Sequence, residues 1–448
     1  MRSSYRRLSL LIMCSPVLYL GYSRFYLQNE SSLLSESSIN KSENGLNLSS
    51  KSPYIYRTTE PSEPNSSKNL ELIQMHYVAR HGARYPTRGN MESIRHMFET
   101  IGPHIPDDWI KPDLVDPKNT GRLASGGEKE IASIAERMAG RYSEFLNGLF
   151  QDNERIRFVS SEWQRSMESA RIFRDTVDPD GRTLPVKVVP ISNDTTMAIR
   201  FACPLWNLLR GIHAVDIARE TAVFDSIHSK YLQKQVSDRL SSIANRPISL
   251  SMKEVATIYS LCAYDLALYN EPNHWCTLLD PQSALLLELR NDIKFSRVYG
   301  PYGPPINKHM ACVLFTHILD DIDSALADPK TAVSTFRFAH AETIMFVSAL
   351  LGLENVLGKG EAPITGNMTL ANAKRRGFKS TQLVPFSANI GIEIYRDTVG
   401  PQGFFRLLLN EQAVRLPGCD DAYCPIEILR STLSENVGCS FGDMCKSK

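Results

Sequence analysis

The segment Arg80-His81-Gly82-Ala83-Arg84-Tyr85-Pro86 gathers residues suited to one kind of chemistry. Two arginines flank a histidine, directly after an apolar run at residues 70–79 that reads as a buried strand. Guanidinium forks match phosphate oxygens bidentately and keep their charge at any relevant pH. A neutral imidazole can act as a covalent nucleophile, and Gly82 lets the backbone turn closely. Open α/β sheets bind ligands beyond the carboxyl ends of their strands, and this turn falls at such an end. The combination reads as a phosphate cradle with a nucleophile at its centre. The bland alternative is a solvated basic turn after a strand.

With this motif the chain resembles the histidine phosphatase superfamily, in its branch of acid phosphatases, phytases and multiple inositol polyphosphate phosphatases. The resemblance implies that His81 is phosphorylated during turnover and that Arg80 and Arg84 hold the transferred phosphoryl group. The stretch Ser161-x-x-x-Arg165-Ser166-x-x-Ser169-Ala170 is similar to the family segment that carries a third phosphate-binding arginine, which makes Arg165 that residue. Ser166 stands where the family usually has Thr. His340-Ala341-Glu342 follows an expected strand at 335–339. On an extended chain, residues i and i+2 point the same way, so His340 and Glu342 are expected to face one pocket. The resemblance makes His340 a further phosphate ligand. Glu342 would protonate the leaving alkoxide and then deprotonate the attacking water. The plainer alternative is that Glu342 serves the N-terminal turn of the next helix. His-Ala-Glu, rather than the His-Asp of fungal phytases, resembles the multiple inositol polyphosphate phosphatases. So do residues 289–294, 384–389 and 407–411, and the resemblance covers about residues 70–412.

These residues need a scaffold, and the pattern supplies one. Strands are expected at 70–79, 155–160, 186–191 and 335–339, and helices at 123–149, from 164, at 311–325 and at 343–353. Two later strands at 389–395 and 404–410 read as an antiparallel addition. Residues 195–305 are helix-rich. The expected fold is α/β, with a mostly parallel central sheet flanked by helices. Its catalytic domain comprises residues 69–194 and 306–448, with an inserted smaller α-helical domain at 195–305.

The amino terminus differs from this body. Arg2, Arg6 and Arg7 precede an apolar run at 8–22, so residues 1–27 read as a signal peptide or an uncleaved signal anchor. Residues 28–68 are rich in Ser and Asn and read as a disordered stalk. Glycosylation sequons stand at Asn29, Asn40, Asn47 and Asn65, with two more at Asn193 and Asn367. Setting aside Cys14 in the leader, Cys203, Cys262, Cys276, Cys312, Cys419, Cys424, Cys439 and Cys445 make an even set suited to an oxidising compartment. Sequence proximity suggests Cys262–Cys276, Cys419–Cys424 and Cys439–Cys445, leaving Cys203 with Cys312. A zinc site from the last four cysteines is the rival reading.

Charge and composition set further bounds. The 448 residues carry 50 Lys+Arg against 49 Asp+Glu, without the basic excess of a general nucleic-acid binder. With 42% apolar and 22% charged residues, the body has enough apolar residues to bury a core. The expected partners are therefore small-molecule phosphate esters, with a membrane involved only through an uncleaved anchor. No cofactor and no metal are expected, since three arginines and two histidines can supply the charge stabilisation. Phosphates away from the reacting one need cations, and Arg88, Lys294 and Lys308 are candidates by position. The leader and the cysteines lead to the expectation of a secreted, cell-surface or secretory-pathway protein, and the resemblance implies a phosphomonoesterase. It would hydrolyse inositol polyphosphates, phytate and lower forms, through a phosphohistidine intermediate. A broad-specificity acid phosphatase is the alternative, and a phosphate-binding surface protein without catalysis is the reading from another class.

Overall fold

In the computed structural model, strand β1, Leu70–Arg80, lies inside a sheet of eight strands and is buried from Ile73 onward. The structure describes residues 46–57, 69–178, 181–182, 184–356 and 363–446. On one side β1 pairs in parallel with β4, Ser334–Ala339, which pairs in parallel with β2, Ile156–Ser161, and β2 with β3, Val186–Val189. On the other side β5, Asn389–Asp397, runs antiparallel to β1, followed by β6, Gly403–Leu409, and β7, Gln412–Val414. The short β8, Cys424–Pro425, pairs with β6.

Alternation along β1 divides the apolar packing, because successive side chains leave opposite faces of a strand. Met75, Tyr77 and Ala79 join one buried cluster with Phe336 and Phe338 of β4. The same cluster includes Ile131 and Ile134 of α2, Ser125–Arg141, and Phe173 of α4, Gln164–Val177. Val78 joins the other cluster, with Phe315 of α8, Cys312–Ala327, and Ile344 and Val347 of α9, Ala341–Leu351, and so does Ile73, which lies at the register shift between Leu72 and Gln74 that interrupts the alternation. Helix α1, Arg88–Thr100, follows the motif turn. The helix expected over 123–149 is two helices, α2 and α3, Ser143–Phe150, broken at Tyr142. The Tyr142 hydroxyl reaches back to the buried Glu393 of β5.

The helix-rich stretch contains α5, Pro204–Ala244, α6, Met252–Tyr264, and α7, Pro281–Val298. Phe224, Ile258 and Leu289 from these helices belong to the same buried cluster as Val78 and Ile390 of the sheet. Residues from Leu46 to Lys448 accordingly group as one compact unit. Within α7, Glu288 and Asp292 are fully buried and each lies 2.7 Å from Nη2 of Arg376.

Three expectations are corrected. Residues 46–57 are not part of a disordered stalk. Leu46 and Leu48 enter the core, and the main chain is tied down by Tyr259 Oη to Asn47 O at 2.6 Å and by Phe386 N to Ser52 O at 3.0 Å. Two disulfides differ from the local guess: Cys203 pairs with Cys445 and Cys312 with Cys439, while Cys262–Cys276 and Cys419–Cys424 form as expected. A short helix, Phe441–Met444, stands between Cys439 and Cys445. It delivers Cys445 to the start of α5, where Leu205 N donates to Cys445 O at 3.1 Å, and Cys439 to the start of α8. These pairings also remove the zinc reading, since every thiol of that set is oxidised. Among the described residues no helix is long and apolar enough to cross a membrane. The leader and the sequons at Asn29, Asn40 and Asn65 lie outside the described residues. Asn193 and Asn367 are exposed and Asn47 is half-buried.

Candidate active site

His81 and His340 each occupy the first position beyond a parallel strand. Because Arg80 of β1 stands opposite Ala339 of β4, the next residues are brought together, with ring centroids 5.8 Å apart. β2 ends beside them at Ser161, whose Oγ lies 2.9 Å from His340 Nε2. The cluster therefore sits at the carboxyl edge of the parallel strands, the end at which such sheets take ligands.

The motif turn is held residue by residue. Arg80 N donates to Ala388 O at 2.8 Å and His81 N to Ala339 O at 3.1 Å. Gly82 N donates to Ser169 Oγ at 3.1 Å, and Ala83 N to Glu130 Oε2 at 3.0 Å. Gly82 packs backbone to backbone on Gly127 of α2, and a Cβ on either would overlap the other strand of chain. One turn along α2, Glu130 also accepts from Tyr54 N at 2.9 Å and Ser387 Oγ at 2.7 Å. Glu130 thus joins the turn, the 46–57 segment and the 384–389 segment through one carboxylate.

His81 is 3% exposed, and its Nδ1 lies 2.8 Å from the carbonyl oxygen of Gly82. A carbonyl can only accept, so Nδ1 carries the proton and the free lone pair is on Nε2. Burial, then the charges of Arg165, Arg80 and Arg84, push its pKa well below the ordinary histidine value. The imidazole is neutral and nucleophilic at Nε2.

The arginines near it are only partly satisfied. Arg80 Nη1 is anchored to Ser50 O and, at 2.8 Å, to Val384 O, with the guanidinium 4.3 Å over the Phe386 ring. Arg84 Nη1 donates to Tyr85 O at 2.9 Å. Arg165 stacks on Trp163 at 4.8 Å and reaches Gly121 O at 3.4 Å. Yet the Nε of each of these three arginines, and Nδ1 of His340, is buried with no hydrogen-bond partner in the structure. Unpaired buried donors are costly. Three such arginine donors and the unpartnered His340 nitrogen share the site with His81, an arrangement suited to an anion. Mutual repulsion is consistent with this. Burial, then Arg84 among the charged neighbours, lowers Arg80 and Arg165 to about 9. Burial lowers His340 to about 3.

Glu342 departs from the expected geometry. His340 is the N-cap of α9, and Glu342 sits in its first turn, so the two are not neighbours on an extended strand. The carboxylate pairs with Arg200 Nε at 2.7 Å. Burial raises its pKa, but His340 and Arg200 outweigh that and hold it at about 2. Glu342 is therefore ionised in the resting site.

Arg200 escaped sequence reasoning because it lies in the short 3-10 turn Ile199–Phe201 before Cys203, with no motif around it. Glu130 lies in the expected helix at 123–149 with no motif around it. Lys51 fell in the supposed stalk, where the apolar pairs Leu46/Leu48 and Tyr54/Tyr56 were the available signal of packing. Of the expected substrate cations, Lys294 is exposed but its charge reaches Lys51. Arg88 is 90% exposed and pairs with Glu92 at 3.6 Å, and Lys308 is exposed beside Glu354. The structure does not bring those two into the cluster of unpaired donors.

Comparison with known proteins identifies the family. A profile of the histidine phosphatase superfamily (branch 2) matches residues 71–410. A multiple inositol polyphosphate phosphatase 1 from Gallus gallus is 26% identical over 399 residues, covering 84% of each chain. Among solved structures, the phytase from D. castellii aligns over 90% of this chain and 87% of its own, with a TM-score of 0.72 at 16% identity. A Bifidobacterium longum multiple inositol polyphosphate phosphatase in complex with inositol hexasulfate aligns over 86% of this chain and 97% of its own, with a TM-score of 0.68 at 18% identity. With the matched stretch running from β1 through β6 and containing His81, Arg84, Arg165 and His340, the chain belongs to branch 2 of the histidine phosphatase superfamily and is a phosphatase of phosphate esters.

Proposed function

We propose that this enzyme hydrolyses inositol polyphosphates, phytate and its lower forms, through a phosphohistidine intermediate. The observation that carries the reading is the set of buried, unpartnered nitrogens of Arg80, Arg84, Arg165 and His340 beside a neutral His81 whose lone pair lies on Nε2. In the first step Nε2 attacks phosphorus and the bond to the inositol oxygen breaks. The transferred phosphoryl group is held by Arg80, Arg84, Arg165 and His340, whose donors meet charge that spreads over its oxygens. The departing oxygen takes a proton from Glu342. In the second step Glu342, again ionised, accepts a proton from water as the water attacks phospho-His81, releasing inorganic phosphate and restoring the imidazole.

Glu342 must gain a proton before the first step, although the resting site holds it ionised. An anionic substrate offsets the field of Arg200, so substrate binding raises the carboxyl pKa. That coupling favours turnover in the acidic range. The four disulfides suit an oxidising compartment. Together with the exposed sequons at Asn193 and Asn367, they support a secreted or lumenal enzyme. Phosphate release from phytate and from a small aryl phosphate, with inositol products separated by isomer, tests the substrate assignment. A clear kcat/KM preference for phytate is expected. Equal or better use of the aryl ester would instead identify a broad acid phosphatase.

A further inference from the structure

The segment 46–57 precedes the stretch that the family profile matches, yet it is bonded to the residues around His81. Ser50 O accepts from the Arg80 guanidinium, Ser49 Oγ lies 2.8 Å from Ser380 Oγ, and Tyr54 N donates to Glu130. These contacts fix the residue between them. Lys51 Nζ donates to Ser260 Oγ at 3.3 Å and stands 5.9 Å from the centroid of the Tyr264 ring. The hydroxyl of the same tyrosine accepts from Asn90 Nδ2 at 3.2 Å and lies against Arg84. Lys51 has no carboxylate partner among the described residues, and the charges that act on it are those of Arg84, Arg80 and Lys294. Burial, then this repulsion, lowers its pKa to about 8. An ammonium beside Tyr264, within reach of the charges of Arg84, Arg80 and Lys294 and with no carboxylate partner among the described residues, marks a second place for an anion beside the first.

We propose that Lys51, carried on the 46–57 strap, binds a non-reacting phosphate of the substrate next to the phosphoryl group held by Arg80 and Arg84, with Lys294 at the outer side of that subsite. The inference rests on the inositol polyphosphate reading. It assigns to the strap a share in distinguishing polyphosphates from monophosphates. A monophosphate fills the site beside His81 and leaves Lys51 unpaired; a polyphosphate satisfies both. Charge-assisted hydrogen bonds to such a group account for affinity differences on the order of tenfold to a hundredfold.

The test uses Lys51→Met and Lys51→Arg in the full chain, with a thermal melt as the check on folding. The first readout is the ratio of kcat/KM for inositol hexakisphosphate to that for a small aryl phosphate. It is expected to fall at least tenfold in Lys51→Met and to recover in Lys51→Arg. The second is calorimetric affinity for inositol hexasulfate relative to inorganic phosphate, which needs no turnover and is expected to fall by a similar factor. Ratios within twofold of the parent in both assays would overturn the assignment. A parent enzyme that fails to hydrolyse inositol hexakisphosphate would overturn the substrate reading, and the binding ratio would still decide the role of Lys51.

Discussion

Replacing Arg200 by Met tests the account at the residue that sequence reasoning missed. Arg200 Nε lies 2.7 Å from Glu342 Oε1, with the two side chains 28% and 15% exposed. Burial favours the neutral acid, whereas His340 and then Arg200 hold the carboxyl at about 2. A charge-assisted hydrogen bond of this kind contributes roughly 1.5–3 kcal/mol. At 1.36 kcal/mol per pH unit, its loss raises the Glu342 pKa by about 1–2 units. The consequences have opposite signs for two substrates. An aryl ester with a good leaving group needs no proton, so hydrolysis of phospho-His81 limits turnover and requires ionised Glu342. The acid limb of kcat then moves to higher pH by about 1–2 units. An alkyl ester needs protonated Glu342 in the first step. Its rate at mildly acidic pH therefore rises relative to the aryl ester in the variant. Stopped-flow and steady-state pH profiles on both substrates provide the assay. An acid limb that stays in place, or profiles that move together for the two esters, would refute the pairing as the control on Glu342.

Other perturbations follow from the same contacts. Glu130→Gln places an amide N–H₂ among donors from Ala83, Tyr54 and Ser387, so kcat should fall about 10- to 100-fold. In Glu130→Asp the fall should be smaller, and a kcat unchanged in both variants would contradict a positioning role. Gly127→Ala puts a methyl group into the Ala83 backbone and should abolish activity, whereas Gly140→Ala on the same helix meets no atoms and should change stability by less than about 1 kcal/mol. Melts and phosphate release on both proteins compare them. Arg376→Met strands the buried Glu288 and Asp292 and should cost about 3–5 kcal/mol in denaturant unfolding. Opening Cys203–Cys445, which spans 242 residues, should destabilise by about 5 kcal/mol, against about 2 kcal/mol for Cys419–Cys424, which spans 5.

His81, Arg80 and Arg84 stand out in the sequence because they share one short motif at the end of an apolar strand. The parallel strands were legible by their apolar runs and alternation with helices. What escaped depends on contacts distant in sequence. Glu342 was placed on an extended chain, but β4 ends at Ala339 and His340 caps a helix, so the pocket is reached from a first helical turn. Cys439 and Cys445 are close in sequence but are separated by a helical turn that sends each to a different helix start. Residues 46–57 looked like a polar linker because their polar groups are abundant. Those groups in fact satisfy the motif: Ser50 O holds Arg80, and Tyr54 both meets Glu130 and, through its hydroxyl at 2.8 Å, Glu411. The 384–389 segment likewise owes its resemblance to work done beneath His81, where Val384 O and Ala388 O receive Arg80 and Ser387 N meets His81 O.

The central claim is that His81 is the nucleophile. Rapid acid-free quenching during turnover of a radiolabelled phosphate ester, followed by peptide mapping, tests it most directly. The account predicts close to one phosphoryl group per chain at most, stable to alkali, labile to acid, located on His81 and absent from His81→Ala. Turnover at the normal rate by His81→Ala, or label that accumulates on another residue, would contradict it.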